Sequence, residues 1–213
     1  MIKTSIKSYL TLLTLVLTAT AYAQTISFSD GWENPGFNLT AESVSSVEVT
    51  YSIGEFFMEE VSVKGSPMKA VHLPGSLIPN DEGAPDLAGS GRYIAIPQGS
   101  HPTLKVISYR TETYENIDVA PAPRIPLDTD DGPLFYSKDE SIYGVDAFYP
   151  AEPFILSEPT TIRGVDAVML GITPFQYNPV SKELIVYRDI RLEVSFEGGN
   201  GQFGDNRYRS RWF

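Results

Sequence analysis

The chain has 213 residues, a formal net charge of −11 and no cysteine. That length fits one domain with tails. The acidity argues against a nucleic-acid binder, which needs a basic face. The lack of thiols excludes disulfides, a cysteine nucleophile and thiolate metal ligands, so stability must come from a hydrophobic core.

In chain order, the first feature is a leader. Lys3 and Lys7 precede an apolar stretch from Leu10 to Thr18, and Ala21-Tyr22-Ala23 is a small-x-small cleavage sequence. The pattern predicts a secretory signal over residues 1–23, cut between Ala23 and Gln24. Its apolar part is shorter than the roughly 20 residues of a bilayer span. No later run is apolar enough to cross a membrane. The expected location is the periplasm, then the cell surface or the medium.

β patterning follows. Val47, Val49, Tyr51 and Ile53 alternate with polar residues, which is a strand with one buried face. Val61 and Val63 continue it after a turn. Gly65-Ser66-Pro67 is a break, from which Met68 to Leu73 pairs back. Pro79 to Gly91 reads as a loop, Tyr93 to Ile96 as a short strand closed by Pro97, and Thr103 to Thr113 as a longer one. Ala120-Pro121-Ala122-Pro123-Arg124-Ile125-Pro126 cannot be helical, because each proline lacks an amide donor and biases its predecessor to extended geometry. A turn at Asp128 to Pro133 comes next, then short β segments at Phe154–Leu156 and Thr160–Ile172.

The last strand is the clearest. Leu184, Val186, Ile190, Leu192, Val194 and Phe196 share one parity, and Arg188 interrupts it. A β-bulge near Arg188-Asp189 would accommodate the interruption. No 12-residue stretch has helical periodicity. The expected fold is all-β, an antiparallel β-sandwich of jelly-roll-like form over residues 24–197. Residues 198–213 read as a flexible Gly-rich and basic linker, with Arg207, Arg209 and Arg211 as candidate processing sites.

No pattern in the chain specifies catalysis. His72 and His101 lack neighbouring ligands at useful spacing. Glu59 and Glu60 are adjacent on a strand and point to opposite faces, which a carboxylate pair flanking a glycosidic bond cannot do. Asp128, Asp130 and Asp131 beside Gly132 could offer oxygens to calcium, but the distal Glu of a calcium loop is missing, and a solvated turn is the simpler reading. No cofactor is expected. Tyr93, Tyr109, Tyr114 and Tyr187 could form a sugar-stacking platform, the basis of an alternative reading as a carbohydrate-binding or adhesion module. Trp32 and Trp212 fall in the expected tails.

Several motifs together carry a resemblance. They are Glu82-Gly83-Ala84-Pro85-Asp86-Leu87, Ala120-Pro121, Tyr143-Gly144, Phe148-Tyr149-Pro150, Pro153-Phe154-Ile155-Leu156, and a final block of Pro174, Gln176, Tyr177, Asn178, Pro179, Leu184 and Tyr187. From about Glu82 to Phe196 the chain resembles the propeptide of gingipain-type (family C25) cysteine peptidases of Bacteroidetes. Residues 24–80 match only in β character. The resemblance implies a non-catalytic β-sandwich that precedes a protease, keeps the zymogen latent and assists its folding. The implied partner is a cognate gingipain-like cysteine peptidase domain, in cis or in trans after cleavage. The chain would then be a piece of a longer precursor, or alternatively a stand-alone inhibitor. In the family, the loop after the Ala-Pro carries a basic side chain into the specificity pocket. Here Arg124 is the nearest basic residue but sits early, and Asp128 holds the corresponding position. Both are candidate plugs, with Arg124 preferred.

Overall fold

A computed structural model describes residues 23–76, 81–129 and 131–204. In chain order the strands are β1 (Gln24–Ser27), β2 (Gly36–Glu42), β3 (Ser46–Ser52), β4 (Glu55–Val63), β5 (Ser66–His72), β6 (Ser90–Ala95) and β7 (Ser100–Tyr114). A single turn of helix, α1 (Glu140–Tyr143), is followed by β8 (Phe154–Leu156), β9 (Thr160–Ile162), β10 (Val165–Ile172), β11 (Phe175–Asn178) and β12 (Glu183–Gly198). The expected antiparallel sandwich is what forms. One sheet runs β11-β12-β3-β2 with β7 on the other edge of β12; a second runs β6-β10-β8 with β9 also on β10; a third runs β1-β4-β5.

β12 is the spine. It pairs with β7 along one edge, and with β11 and then β3 along the other. Its alternation supplies the centre of the core: Leu184, Val186, Ile190, Leu192 and Val194 have no exposed surface. The first four pack with Tyr51 from β3, Phe56 and Met58 from β4, Leu170 and Ile172 from β10, and Phe175 and Tyr177 from β11, so all three sheets share one apolar interior, while Val194 packs in a smaller cluster with Ile96, Val168 and Phe196. The Phe56 ring meets Phe175 edge-on at 5.5 Å and Tyr114 at 5.8 Å, a geometry that favours aromatic pairs.

The pairing with β7 jumps from Tyr187 to Asp189, which makes Arg188 the extra residue where the pattern predicted a bulge. The bulge has a chemical consequence. Asp189 is fully buried. Its Oδ1 accepts from Ser52 Oγ and from the Trp32 backbone amide, both at 2.7 Å, and its Oδ2 accepts from Arg110 Nε at 2.8 Å. Arg188 donates to Glu112 at 2.6 Å and to Asp30. A buried charge is tolerable only when paired and hydrogen-bonded; here the bonds from Ser52, Arg110 and Arg188 join β12 to β3 and β7, and those at Trp32 and Asp30 tie the 28–35 segment to the spine. Trp32 is therefore not in a loose tail. Arg110 and Arg191 approach its ring at 5.8 and 5.5 Å.

Local turns follow the residue chemistry. β4 and β5 are joined by Lys64-Gly65, and β9 and β10 by Arg163-Gly164, all four with positive φ. Two-residue hairpins need that conformation to match strand twist. The glycine-rich exit is folded rather than free as far as Gly204. Asn200 donates its amide to Gln98 O at 3.1 Å, Gln98 donates to Gln202 O at 2.9 Å, and the Phe203 ring sits 6.5 Å from Phe196. The folded unit thus reaches past the predicted boundary at residue 197. Residues 1–22 of the leader and Arg207, Arg209 and Arg211 lie outside the described residues, whereas Ala23 immediately precedes β1 and Gln24 opens it. Among the described residues, no helix is long and apolar enough to cross a membrane.

Asp189→Ala leaves Ser52 and the Trp32 amide without this acceptor and Arg110 with Asp30 alone, and should destabilise the fold by about 3 kcal/mol, read from urea unfolding. A second expectation concerns acid. Partial desolvation pushes the Asp30 carboxyl up, but the hydrogen bond and charge of Arg188, with the charge of Arg110, outweigh it and hold the group below its usual range. A depressed folded pKa contributes stability above the unfolded value of about 3.9, and that stability is lost as pH falls through the folded value. Wild type should therefore exceed Asp30→Asn in stability at neutral pH, and the difference should shrink as pH falls below the ordinary carboxylate range and through the depressed folded value, read from urea unfolding at a series of pH values.

Candidate functional site

One loop stands out from the sandwich, and its base is built from two of the sequence motifs. The Ala120-Pro121-Ala122 segment runs beside the edge of β5: Lys69 N donates to Asp118 O at 2.7 Å and Ala120 N to Lys69 O at 2.8 Å. Its other side pairs with the Glu82–Leu87 motif. Asp86 N donates to Ala120 O at 2.9 Å, Ala122 N to Ala84 O at 2.7 Å, and Gly83 N to Ala122 O at 3.0 Å. Proline suits these positions because an extended backbone is wanted and not every amide has a ladder partner.

The chain leaves at Pro123 and returns at Asp139, whose amide donates to Gly83 O at 2.9 Å. Gly83 thus bonds both stems of the loop. It holds φ +85°, and a Cβ there would lie 3.0 Å from Ser137 O and 3.2 Å from Asp139 N. Only glycine meets both conditions without displacing a stem. Beyond this pinch, Arg124 N donates to Phe135 O at 3.1 Å and narrows the neck.

The returning stem is fixed by α1. Asp139 caps it, accepting from Ser141 N at 2.9 Å and Ser141 Oγ at 2.6 Å, and these bonds hold its carboxyl below the ordinary range. Tyr143 inserts beneath the loop and donates its hydroxyl to Val119 O at 2.9 Å, with burial pushing that hydroxyl's pKa far up. The Lys138 ammonium lies 4.9 Å from the Tyr143 ring. Gly83 and Asp139 were not singled out as site residues from sequence. The signals were present, in the Glu-Gly-x-Pro-x-Leu motif and in the Asp-x-Ser cap.

The loop is apolar on its flanks and charged at its end. Ile125, Leu127, Leu134 and Phe135 are 68%, 67%, 47% and 60% exposed. Side chains of that kind in water are a mark of an interaction surface. The two candidate plugs are in different places. Arg124 stands at the neck, and it lines the loop's inner hollow with Pro126, Thr129 and Leu134. Asp128 opens the Asp128-Thr129 turn at the far end and is exposed. Of the calcium candidates, Asp128 and Asp131 are exposed and Asp130 lies outside the described residues; among those described, no group of three or more His, Asp or Glu side chains could hold a metal.

The other candidates do not assemble. His72 stacks on Phe57 at 4.8 Å and lies 3.5 Å from Glu59, while His101 is exposed on β7. The tyrosine platform does not form either. Tyr114 packs on Phe56 in the core, and Tyr187 is half-buried against Phe154 and Tyr109 with its hydroxyl donating to Gln176 at 2.6 Å.

Comparison with known proteins agrees with this fold. The Propeptide_C25 family model matches residues 21–206. A Lys-gingipain of Porphyromonas gingivalis is 28% identical over 171 residues, covering 76% of this chain and 10% of that protein. Gingipain R2 of the same species is 27% identical over 173 residues, covering 79% of this chain and 23% of that protein. The chain thus spans about a tenth of the length of the Lys-gingipain it matches. Among solved structures, a complex of the pro- and mature domains of Porphyromonas gingivalis RgpB aligns with TM-score 0.73 and 23% identity, covering 82% of this chain and 92% of that one. A structure concerned with zymogenic latency of gingipain K from that species aligns with TM-score 0.67 and 23% identity, covering 82% and 98%. Those structures share the fold. With the family model spanning most of its length, the chain belongs to the Propeptide_C25 family, the propeptides of the gingipain cysteine peptidases.

Proposed function

We propose that this chain is the prosegment of a secreted gingipain-like cysteine peptidase, and that it keeps the peptidase latent by seating the 123–138 loop in the active-site cleft while assisting the catalytic domain to fold. The observation that carries the reading is the loop's construction. It is pinched at Gly83, braced by α1 and Tyr143, and flanked by exposed apolar side chains. A loop already held in one form loses little entropy on binding. Its apolar flanks would exclude water around a central polar contact, the arrangement that makes such a contact strong.

The geometry favours Asp128 over Arg124 as that contact. Arg124 has its backbone tied across the neck, whereas Asp128 stands at the tip. A buried carboxylate needs a basic partner, so the cognate pocket would be lined by Arg or Lys and the peptidase would prefer acidic residues. In this reading residues 1–23 direct export, residues 24–204 form the inhibitory sandwich, and the segment with Arg207, Arg209 and Arg211 leads toward a catalytic domain and is cut during maturation.

Inhibition of the cognate catalytic domain by residues 24–213 tests the plug. Asp128→Ala should raise the inhibition constant about 100-fold, and Arg124→Ala less than about threefold. The reverse order would make Arg124 the plug; wild-type inhibition by both variants would remove the loop from the interface. Gly83→Ala should weaken inhibition about tenfold by loosening both stems, while urea unfolding shows a loss of only about 1–2 kcal/mol from the forced positive φ.

A further inference from the structure

Away from the loop, two strand edges lack a neighbour. Among the described residues β2 pairs only with β3, and β6 only with β10, so each is the edge of its sheet. A slot of about 340 Å³ is lined from both edges, by Phe37 and Leu39 of β2 and by Arg92 and Ile94 of β6. Val49 and Leu170 line it as well. Val49 is 5% exposed and Leu170 has no exposed surface, so the slot reaches the apolar interior.

Register shows which way the lining residues face. In an antiparallel ladder, directly opposite residues lie on the same side of the sheet. Leu39 is opposite Val49 and Phe37 is opposite Tyr51, and both partners are buried. Arg92 is opposite Leu170 and Ile94 is opposite Val168, and neither partner has exposed surface. Leu39 and Arg92 therefore hold core-facing positions. Yet Leu39 is 60% exposed, and Arg92 is exposed too. The Arg92 guanidinium lies 5.9 Å from the Phe37 ring, which is held edge-on to Tyr51 at 4.9 Å. Among the described residues no carboxylate forms an ion pair with Arg92. The slot thus offers an uncovered apolar wall and, at an inward-facing position, a cation without an anion.

We propose that this slot is a ligand site for a medium-chain carboxylate, a free fatty acid whose alkyl chain lies against Leu39, Val49 and Leu170 and whose carboxylate is held by Arg92. Its volume falls within the roughly 300–1,000 Å³ of small-molecule sites, which are mostly apolar with a few polar groups that orient the ligand. The alkyl chain gains by leaving water. The guanidinium presents parallel N–H groups that match a carboxylate and complete its charge pairing. One cation among apolar side chains fits a single anionic head on an apolar chain. The slot is built on β2, β3, β6 and β10, none of which forms the stems of the 123–138 loop, so the proposal does not depend on the inhibitory reading.

Isothermal titration calorimetry of residues 24–213 with decanoate, decanol and acetate, each below its solubility or micelle limit, tests the site. One decanoate should bind per chain, about tenfold tighter than decanol, and acetate should give no binding. Arg92→Gln should weaken decanoate about tenfold and leave decanol unchanged, while Arg92→Lys keeps part of the difference. Leu39→Ser should weaken decanoate and decanol alike, about threefold. Both side chains are exposed, and urea unfolding checks that each variant remains folded. No binding of decanoate, several molecules per chain, equal affinity for decanoate and decanol, or affinities that neither Arg92→Gln nor Leu39→Ser changes would overturn the proposal. So would a dimer in sedimentation that Leu39→Ser dissociates while decanoate fails to bind, which would make the slot an interface between two chains.

Discussion

The constraint on which the molecule depends is that β12 must satisfy neighbours on both edges while filling the core from one face. Fifteen-residue β7 covers one edge, and β11 and β3 share the other. Three partners with different registers cannot all match a regular strand, and the bulge at Arg188 absorbs the mismatch. The polar group it turns inward, Asp189, becomes the point at which the N-terminal segment is fastened. Removing the charge alone would leave several donors stranded, so the bulge, the aspartate and the 28–35 segment form one unit.

The candidate site depends on that spine at one remove. The sandwich makes β5 and the Glu82–Leu87 segment rigid, and together they hold the Ala120–Ala122 stem. Gly83 then sets the width of the loop through a single residue that bonds both stems. The chemistry at the tip is carried by a few side chains on a scaffold that does none itself. That division is the usual one for binding loops on β-sandwiches.

Much of this was readable in the residues. The alternation in β3 and β12, the break at Gly65, the bulge at Arg188 and the irregular, proline-rich 119–133 stretch all follow from local rules of period, φ and amide count. Other features were not readable. Trp32 looked like part of a tail because its partners, Arg110 and Arg191, are about 80 and 160 positions away, and Asp189, which accepts its amide, is 157 away. The exit after β12 looked like a free glycine linker because its pairing with Gln98 is equally remote in sequence.

By itself, then, the sequence determined the β class, the strand parities, the absence of thiol chemistry and the family resemblance, since each rests on residue type and short-range spacing. Only the tertiary structure decided that Gly83 closes the loop at both stems, and that Arg124 lies at the neck and Asp128 at the tip. Those facts depend on which distant segments meet. Contacts of that range are chosen by burial of a shared core, not by local propensity.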